Sequence, residues 1–335
     1  MSGADLLALA ADLVGVPSVS RQEAVLAARV EEVLSACPWL AVDRVGDNVV
    51  ARTSVGRPYR IVVAGHLDTV PPAADGGPRM EGDTLWGVGA ADMKGGLAVM
   101  LDLARALPEP GVDVTWCFYA REEVRRDESG LGQLWAERPE LMAADAAILC
   151  EPTDAVVEAG CQGTMQVVVH LGGVRAHTAR PFTGCNAIHR LAAVIDVVSG
   201  WEGRTAEVDG CEYAEQLQAV AVEGGVAANV VPDRATVTLN YRYAPDRDGR
   251  SARAFLSGLF DGRLRAELGD RWEVVDEADA APPSLEHPLL AALVTGSGVP
   301  PRGKVGWTDV ASFWARGVPA ANFGPGDPLL AHHPD

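Results

Sequence analysis

The sequence predicts an α/β fold in which one domain is interrupted by a smaller inserted domain. Short β-branched runs alternate with amphipathic segments before residue 164 and again after residue 281, as in a layered α/β domain. Between these parts the predicted elements follow the order βαββαβ, which is typical of a ferredoxin-like α+β domain. A chain of 335 residues also agrees with two domains, since a domain averages roughly 150 residues.

The first domain is predicted from helices that alternate with buried strands. Ser20 and Glu23 have the spacing of a capping box, which predicts the start of a helix that ends before Pro38. β-branched apolar runs then predict buried strands, and the periodic apolar segments between them predict helices. The strands are expected at 61–64, 112–120 and 146–150, and the helices at about 94–107 and 131–135.

The inserted domain is predicted from two successive βαβ halves. Its strands are expected at 166–171, 216–222, 234–243 and 272–275, and its helices at 185–198 and 252–264. Apolar and polar residues alternate strictly through 234–243, which predicts one buried face and one wet face. A helix at 288–294 and a last apolar run at 318–323 then return the chain to the first domain.

The composition excludes several classes of partner and location. With 28 basic and 46 acidic residues the formal charge is −18, so neither nucleic acid nor an anionic membrane surface is expected as a partner. The first basic residue is Arg21, which argues against a secretory signal and predicts a cytoplasmic protein. The six cysteines include no Cys-x-x-Cys pair, so they are expected to be small core residues.

Residues able to bind a metal follow each of the three predicted buried strands of the first domain. Because the carboxyl ends of such strands form the ligand-binding crevice of an open α/β sheet, these residues are expected to converge. A further aspartate precedes the helix at about residue 94, and a histidine lies near the end of the sequence. The set is His66, Asp68, Asp92, Glu122, Glu123, Glu151 and His332.

Imidazole and carboxylate ligands without a thiolate favour a catalytic zinc, cobalt or manganese site over a structural zinc site. Two ions are plausible, because paired ions lower the pKa of a shared water and polarise a carbonyl. Glu122 is adjacent to a candidate ligand and is free to move a proton from the water to a leaving amine. Asp68 is placed to hold the second ring nitrogen of His66.

These motifs resemble the dinuclear-zinc amidohydrolase family that includes glutamate carboxypeptidase, acetylornithine deacetylase and aminoacylase. The resemblance rests on the motifs at 65–72, 86–96, 122–123 and 151–153 and on the terminal histidine. It implies that Asp92 bridges two metals and that Glu122 is the general acid/base. It also implies that His66 and Glu151 complete one site and that Glu123 and His332 complete the other.

The same resemblance implies a mixed-sheet, zinc-peptidase-like catalytic domain over 1–163 and 282–335. The inserted domain, 164–281, is then a lid and homodimerisation domain. Its His177 is expected to reach the partner's active site as an oxyanion donor, although it could be only a surface loop residue. Four residues are expected to bind the small-molecule N-acyl amino-acid substrate: Asn229 and Arg242 at its carboxylates, Thr308 in the pocket, and Arg180 as a further anion contact.

Within the family, the segments 150–154, 306–309 and 323–327 most resemble an actinobacterial desuccinylase subgroup. That resemblance implies hydrolysis of N-succinyl-LL-2,6-diaminopimelate. Another amidase activity, such as that of an acetylornithine deacetylase, dipeptidase or aminoacylase, remains open. So does an inactive metal-dependent binding protein, because family members usually continue past the metal-binding histidine whereas this sequence ends at Asp335, by truncation or because the tail is absent.

Overall fold

The computed structural model describes residues 3–72 and 77–331, which form two compact units. The first unit comprises Met1–Ala159, Ser284–Arg302 and Ser312–Asp335, and the second comprises Gly160–Pro283 and Gly303–Ala311. The predicted combination of a mixed α/β part with an inserted α+β part is confirmed. The lid and dimerisation roles of the inserted part stay predictions.

The α-helices are α1 (Gly3–Val14), α2 (Ala24–Ser35), α3 (Gly95–Ala106), α4 (Gly130–Glu137), α5 (Ala187–Ser199), α6 (Gly249–Phe260), α7 (Pro288–Ser297) and α8 (Val310–Trp314). The strands are β1 (Ala41–Val45), β2 (Asn48–Arg52), β3 (Arg60–His66), β4 (Arg79–Glu81), β5 (Thr84–Trp86), β6 (Asp113–Tyr119), β7 (Ala146–Leu149), β8 (Glu158–Ala159), β9 (Gly163–Gly172), β10 (Thr205–Val208), β11 (Cys211–Ala214), β12 (Gln216–Gly224), β13 (Arg234–Tyr243), β14 (Arg271–Ala278), β15 (Arg302–Gly303) and β16 (Ala320–Asn322).

The first unit is built on a mixed sheet with the strand order β1-β2-β6-β3-β7-β16-β8-β15. β3 runs parallel to both β6 and β7, and β7 runs parallel to β16. All seven residues of β6 are buried, which explains why its sequence is a nearly continuous apolar run rather than an alternating one. Because the three central strands are parallel, the residues that follow β3, β6 and β7 emerge at one edge of the sheet.

The predicted capping box at Ser20 and Glu23 is wrong. Helix α2 begins at Ala24, and Glu23, at its N-cap position, makes no side-chain cap hydrogen bond. The Ser20 hydroxyl donates to Asp68 Oδ2 at 2.7 Å, and Glu23 Oε1 accepts from the backbone N–H of Arg121 at 3.1 Å. Both side chains therefore serve tertiary contacts with residues distant in sequence, and these contacts replace the local cap.

The second unit contains a four-stranded antiparallel sheet with the order β12-β13-β9-β14. Together with α5 and α6 this is the predicted βαββαβ arrangement, with the β10–β11 hairpin added before β12. The alternation predicted for 234–243 is also confirmed, because the apolar residues of β13 are at most 2% exposed. They are Ala235, Val237, Leu239, Tyr241 and Tyr243, and they pack in one core with residues of α5 and α6.

All six cysteines lie within the described residues and carry free thiols. Cys185 is partly exposed and the other five are buried, as expected of small core residues. Burial and the negative charge of the adjacent Glu151 raise the pKa of Cys150 to about 12, so this thiol stays protonated. Within 3–72 and 77–331, no helix has the length and apolar character needed to span a membrane.

Candidate metal centre

His66 lies at the centre of the cluster formed at the carboxyl edge of the first unit's sheet. It is the last residue of β3, and its side chain is 1% exposed. Its Nδ1 lies 2.9 Å from the backbone oxygen of Asp68, and its Nε2 lies 2.9 Å from Asp92 Oδ1. A ring that donates from Nδ1 to a carbonyl presents the lone pair of Nε2, which is how metal-binding histidines are commonly held.

Asp92 and Glu151 complete a first group of three around His66. Each of the three residues offers one ligand atom, and these atoms all lie within 4.8 Å of one another. Asp92 lies in the turn Ala90–Lys94 that leads into α3, and Glu151 follows β7. At Gly96 a Cβ atom would come within 2.3 Å of the Cys150 carbonyl oxygen. Only glycine permits this close approach of α3 to the end of β7, which brings Asp92 towards Glu151.

Glu122 and Glu123 form a second group with His66, and their ligand atoms again lie within 4.8 Å of one another. Both residues lie in the loop after β6. The carboxylate of Asp68 holds this loop, because its Oδ1 accepts from the backbone N–H of Glu122 at 2.9 Å and its Oδ2 from that of Glu123 at 3.0 Å. The preceding residue, Arg121, has the left-handed backbone conformation (φ +60°), which turns the chain towards the cluster.

The electrostatics of Asp68 and His66 are coupled. Burial alone would raise the pKa of Asp68, but the charge of the His66 imidazole, 3.6 Å from Oδ1, and hydrogen bonds from the Glu122 N–H and Ser20 lower it to about 2. Burial would lower the pKa of His66, yet the carboxylates of Asp68 and Asp92 raise it well above its ordinary value. The edge of the sheet therefore concentrates negative charge around one imidazole, which is an environment that attracts a cation.

The donor set fits a divalent metal. An imidazole nitrogen and several carboxylates converge, and the groups of three found among the described residues contain no thiolate. This is the ligand chemistry of catalytic zinc sites rather than structural ones. His332, the remaining predicted ligand, lies outside the described residues and stays a prediction.

A pocket adjoins this cluster in the first unit. Asp92 and Glu123 line it, together with Val70, Trp86 and Leu330. A lining that combines a few carboxylates with apolar groups is typical of a site for a small organic molecule.

The residues predicted to bind substrate all lie in the second unit. The structure places His177 beside Asn229, because His177 forms a β-bridge with Val230 and the Thr178 N–H donates to the Asn229 carbonyl at 3.1 Å. His177 and Asn229 are exposed, as is the nearby Arg180. The bridged loop thus presents three polar side chains to solvent.

Arg242 and Thr308, the other two predicted substrate contacts, are less accessible. Arg242 lies on the polar face of β13, where its Nε donates to Asn240 Oδ1 at 3.0 Å. Partial burial lowers the pKa of this guanidinium, although it remains charged. Thr308 is 5% exposed. The substrate-binding roles of both residues stay predictions.

Sequence reasoning missed two residues that support the cluster, Ser20 and Glu23. Both contact its loops, through Asp68 and Arg121 respectively. Their positions just before a helix favoured a local capping role instead. No feature of the sequence distinguishes a serine and a glutamate that cap a helix from a pair that reaches a distant loop.

The chain is similar to a known protein family and to several of its curated members. It matches peptidase family M20/M25/M40 over residues 62–335. A putative succinyl-diaminopimelate desuccinylase DapE of Mycobacterium tuberculosis (strain CDC 1551 / Oshkosh) is 49% identical over 329 residues, which cover 98% of this chain and 92% of the relative. The succinyl-diaminopimelate desuccinylase of Corynebacterium glutamicum is 42% identical over 337 residues, which cover 99% and 91%.

Among solved structures, a tripeptidase from Staphylococcus aureus subsp. aureus Mu50 has a TM-score of 0.78 at 20% identity, with 97% of this chain and 90% of that chain covered. At this identity the similarity shows a common fold. The resemblance inferred from the sequence motifs is therefore confirmed by both sequence and fold, and the chain belongs to peptidase family M20/M25/M40.

Proposed function

We propose that this protein hydrolyses N-succinyl-LL-2,6-diaminopimelate to succinate and LL-2,6-diaminopimelate, in the cytoplasm, as a step in diaminopimelate and lysine synthesis. The observation that carries the proposal is the convergence of His66, Asp92, Glu122, Glu123 and Glu151 in one cluster. The desuccinylase names of relatives that are 49% and 42% identical support the choice of acyl group.

The cluster is suited to two divalent ions, which we propose to be zinc, with cobalt or manganese as substitutes. Asp92 would bridge them. His66 and Glu151 would complete one site, and Glu123 and His332 the other. When bound, such ions polarise an amide carbonyl and lower the pKa of a nearby water.

Glu122 is proposed as the general base and acid. It lies within 4.8 Å of the ligand atoms of His66 and Glu123, so it is near any water held between them. Its carboxylate would accept the proton of the attacking water and deliver it to the departing amine. Asp68 orients this loop from behind, through the backbone N–H groups of Glu122 and Glu123.

The second unit is proposed to recognise the substrate. Arg242, Asn229 and Arg180 would bind carboxylates, and Thr308 would line the pocket. His177, contributed by a second copy of the chain, would stabilise the oxyanion. A guanidinium that is partly buried favours an anionic acyl group, because an acetyl group would offer it no partner.

The substrate is tested by comparing amide hydrolysis on N-succinyl-LL-diaminopimelate, N-acetylornithine and a simple dipeptide. We expect kcat/KM for the succinyl substrate to exceed the others by about 10⁴-fold, as is found where a buried polar group loses its partner. The protein is stripped of metal and reloaded with zinc, with the stripped protein as the blank. If the protein prefers another amide, the proposed substrate is wrong although the family assignment stands. If it hydrolyses none of the three, an inactive binding protein is favoured.

A homodimer is the second part of the proposal. β12 is an edge strand of the second unit's sheet, and Val220 and Val222 on it are 54% and 53% exposed. The neighbouring helix α5 exposes 38% of Ile188, which packs against Gly224 of the same strand. An apolar, unpaired edge is a surface that a second copy can cover by pairing its own edge strand.

Sedimentation measures this directly. We expect the wild-type chain to be a dimer at micromolar concentration and Val222→Asp to be a monomer, because a charge on the paired edge would be buried. Val275→Asp is the matched control, since Val275 is 51% exposed on β14, the opposite edge strand. A monomeric wild-type chain would contradict both the dimer and the cross-subunit role of His177.

A further inference from the structure

Glu23 is a buried carboxylate that the proposed mechanism does not use. It is 0% exposed, and its Oε1 accepts from two backbone N–H groups, those of Arg21 at 3.0 Å and Arg121 at 3.1 Å. Both donors have the left-handed backbone conformation, with φ +73° at Arg21 and φ +60° at Arg121. One carboxylate oxygen thus joins two backbone turns that L-residues rarely adopt.

The turn at Arg121 directly precedes the proposed general base, Glu122. The Arg121 side chain is held by other partners, because its guanidinium donates to the Glu128 carbonyl at 2.7 Å and to Gln133 Oε1 at 2.9 Å. These contacts fix the side chain of Arg121 but leave its backbone N–H to Glu23. The backbone immediately before Glu122 is therefore bonded to the Glu23 carboxylate.

A purely structural reason for this carboxylate is weak. Glu23 makes no cap hydrogen bond to α2, so the helix does not require it. Burial raises its pKa, since the ionised form loses its hydration. Among the described residues, its Oε2 has no hydrogen-bond partner. A buried acid with one oxygen unsatisfied is costly, and what it supplies is the anchor for the turn at Arg121.

The segment that carries Glu23 makes a second contact near the same loop, through Ser20. The Ser20 hydroxyl donates to Asp68 Oδ2 at 2.7 Å, and Asp68 accepts the backbone N–H groups of Glu122 and Glu123. Val19 forms a parallel bridge with Thr69, so the segment 18–23 is held against the strand end that carries the cluster. Glu23 therefore holds the start of the loop at Arg121, and Ser20 holds Glu122 and Glu123 indirectly, through Asp68.

We propose that Glu23 is a positioning residue for the reaction: by binding the Arg121 backbone N–H, it aims Glu122 and Glu123 at the metal cluster. The inference rests on the proposed hydrolytic function of that cluster. It requires only the acceptor oxygen of Glu23, so a glutamine, which keeps that oxygen, meets the requirement and an alanine does not.

The test compares Glu23→Ala with Glu23→Gln in the zinc-loaded full chain. For Glu23→Ala we expect kcat to fall about 10- to 100-fold with KM within about twofold, because a misplaced base affects the transition state more than substrate binding. Glu23→Gln is expected to remain within about threefold of wild type. Glu32→Ala is the matched control, since Glu32 is an exposed carboxylate on the same helix.

Two further readouts do not depend on turnover. Loss of zinc from the holoenzyme to a chelator is expected to be about 10-fold faster in Glu23→Ala for one of two ions, because Glu123 shares the loop. Amide hydrogen exchange is expected to rise in a peptide covering 120–124 and to be restored in Glu23→Gln. If the wild type hydrolyses no amide, the proposed function fails, while these two readouts still decide the role of Glu23.

Several results would overturn the inference. One is a folded Glu23→Ala variant that keeps wild-type kcat, zinc retention and exchange, with only its melting temperature lowered. Another is a Glu23→Gln variant as impaired as Glu23→Ala, which would show that the negative charge matters rather than the acceptor oxygen. If Glu23→Ala fails to fold, wild-type behaviour of Glu23→Gln still supports the inference and impaired behaviour rejects it.

Discussion

Replacing Glu122 with glutamine is expected to lower kcat by about 10⁴-fold, the upper end of what a general acid/base contributes. Glutamine has the shape of glutamate, and the backbone N–H of residue 122 would still donate to Asp68 Oδ1. An amide, however, cannot accept the proton of the attacking water or return it to the leaving amine. Steady-state kinetics on the preferred amide substrate measure the loss.

The accompanying metal analysis separates the proton-transfer role from a ligand role. We expect Glu122→Gln to retain the wild-type zinc content, since the proposed ligands are other residues. Glu109→Gln is the control, because Glu109 is an exposed carboxylate outside the cluster. A Glu122→Gln variant with more than a tenth of wild-type kcat would remove Glu122 from the mechanism, and one that loses a zinc ion would make Glu122 a ligand.

Replacing Asp68 with asparagine is the second large effect expected, although the two side chains have the same size. Each carboxylate oxygen of Asp68 accepts a backbone N–H, one from Glu122 and one from Glu123. Asparagine has one acceptor oxygen, so its NH₂ group must face one of these donors. We expect kcat to fall by at least about 100-fold, as the loop that carries Glu122 moves. The free energy of unfolding should fall by about 2 kcal/mol, the cost of leaving a buried donor unsatisfied.

Ser20→Ala provides the graded comparison for Asp68→Asn. It removes a single bond to the same carboxylate, at 2.7 Å from Oδ2, and it introduces no competing donor. A loss of about 1 kcal/mol in stability and less than tenfold in kcat is expected. Denaturant unfolding and kinetics on both variants measure the difference. If Asp68→Asn were no worse than Ser20→Ala, the two backbone bonds to Asp68 would not control the loop.

Several parts of the fold could be predicted because burial leaves a periodic trace in a sequence. The strict alternation of β13 identified its buried face, since successive side chains of a strand point to opposite sides. The continuous apolar run of β6 identified a strand covered on both faces. From these strands the metal-binding side chains could be expected at one edge, because parallel strands bring their carboxyl ends together.

The capping box predicted at Ser20 and Glu23 is wrong because the prediction used only neighbouring residues. A serine and a glutamate three residues apart satisfy the local rule for a helix start. The local sequence does not show which distant residues will form hydrogen bonds with the same two side chains. In the structure, Ser20 forms a hydrogen bond with Asp68, 48 residues away, and Glu23 with Arg121, 98 residues away. Buried carboxylates and turn amides must be satisfied wherever they meet, so these contacts override the local preference.

Three features follow from the amino-acid sequence alone: the family, the α/β class with its βαββαβ insertion, and the residue types able to bind metal. All three depend on local periodicity and on motifs contiguous in the chain. The folded chain is needed to show that Asp68 supports the loop of Glu122 and Glu123, and that Glu23 and Ser20 contact this loop and Asp68 from the N-terminal segment. The physical reason is that hydrogen bonding follows distance in space. A chain specifies its strands one by one, but the donors and acceptors that face each other are known only after the strands have been assembled.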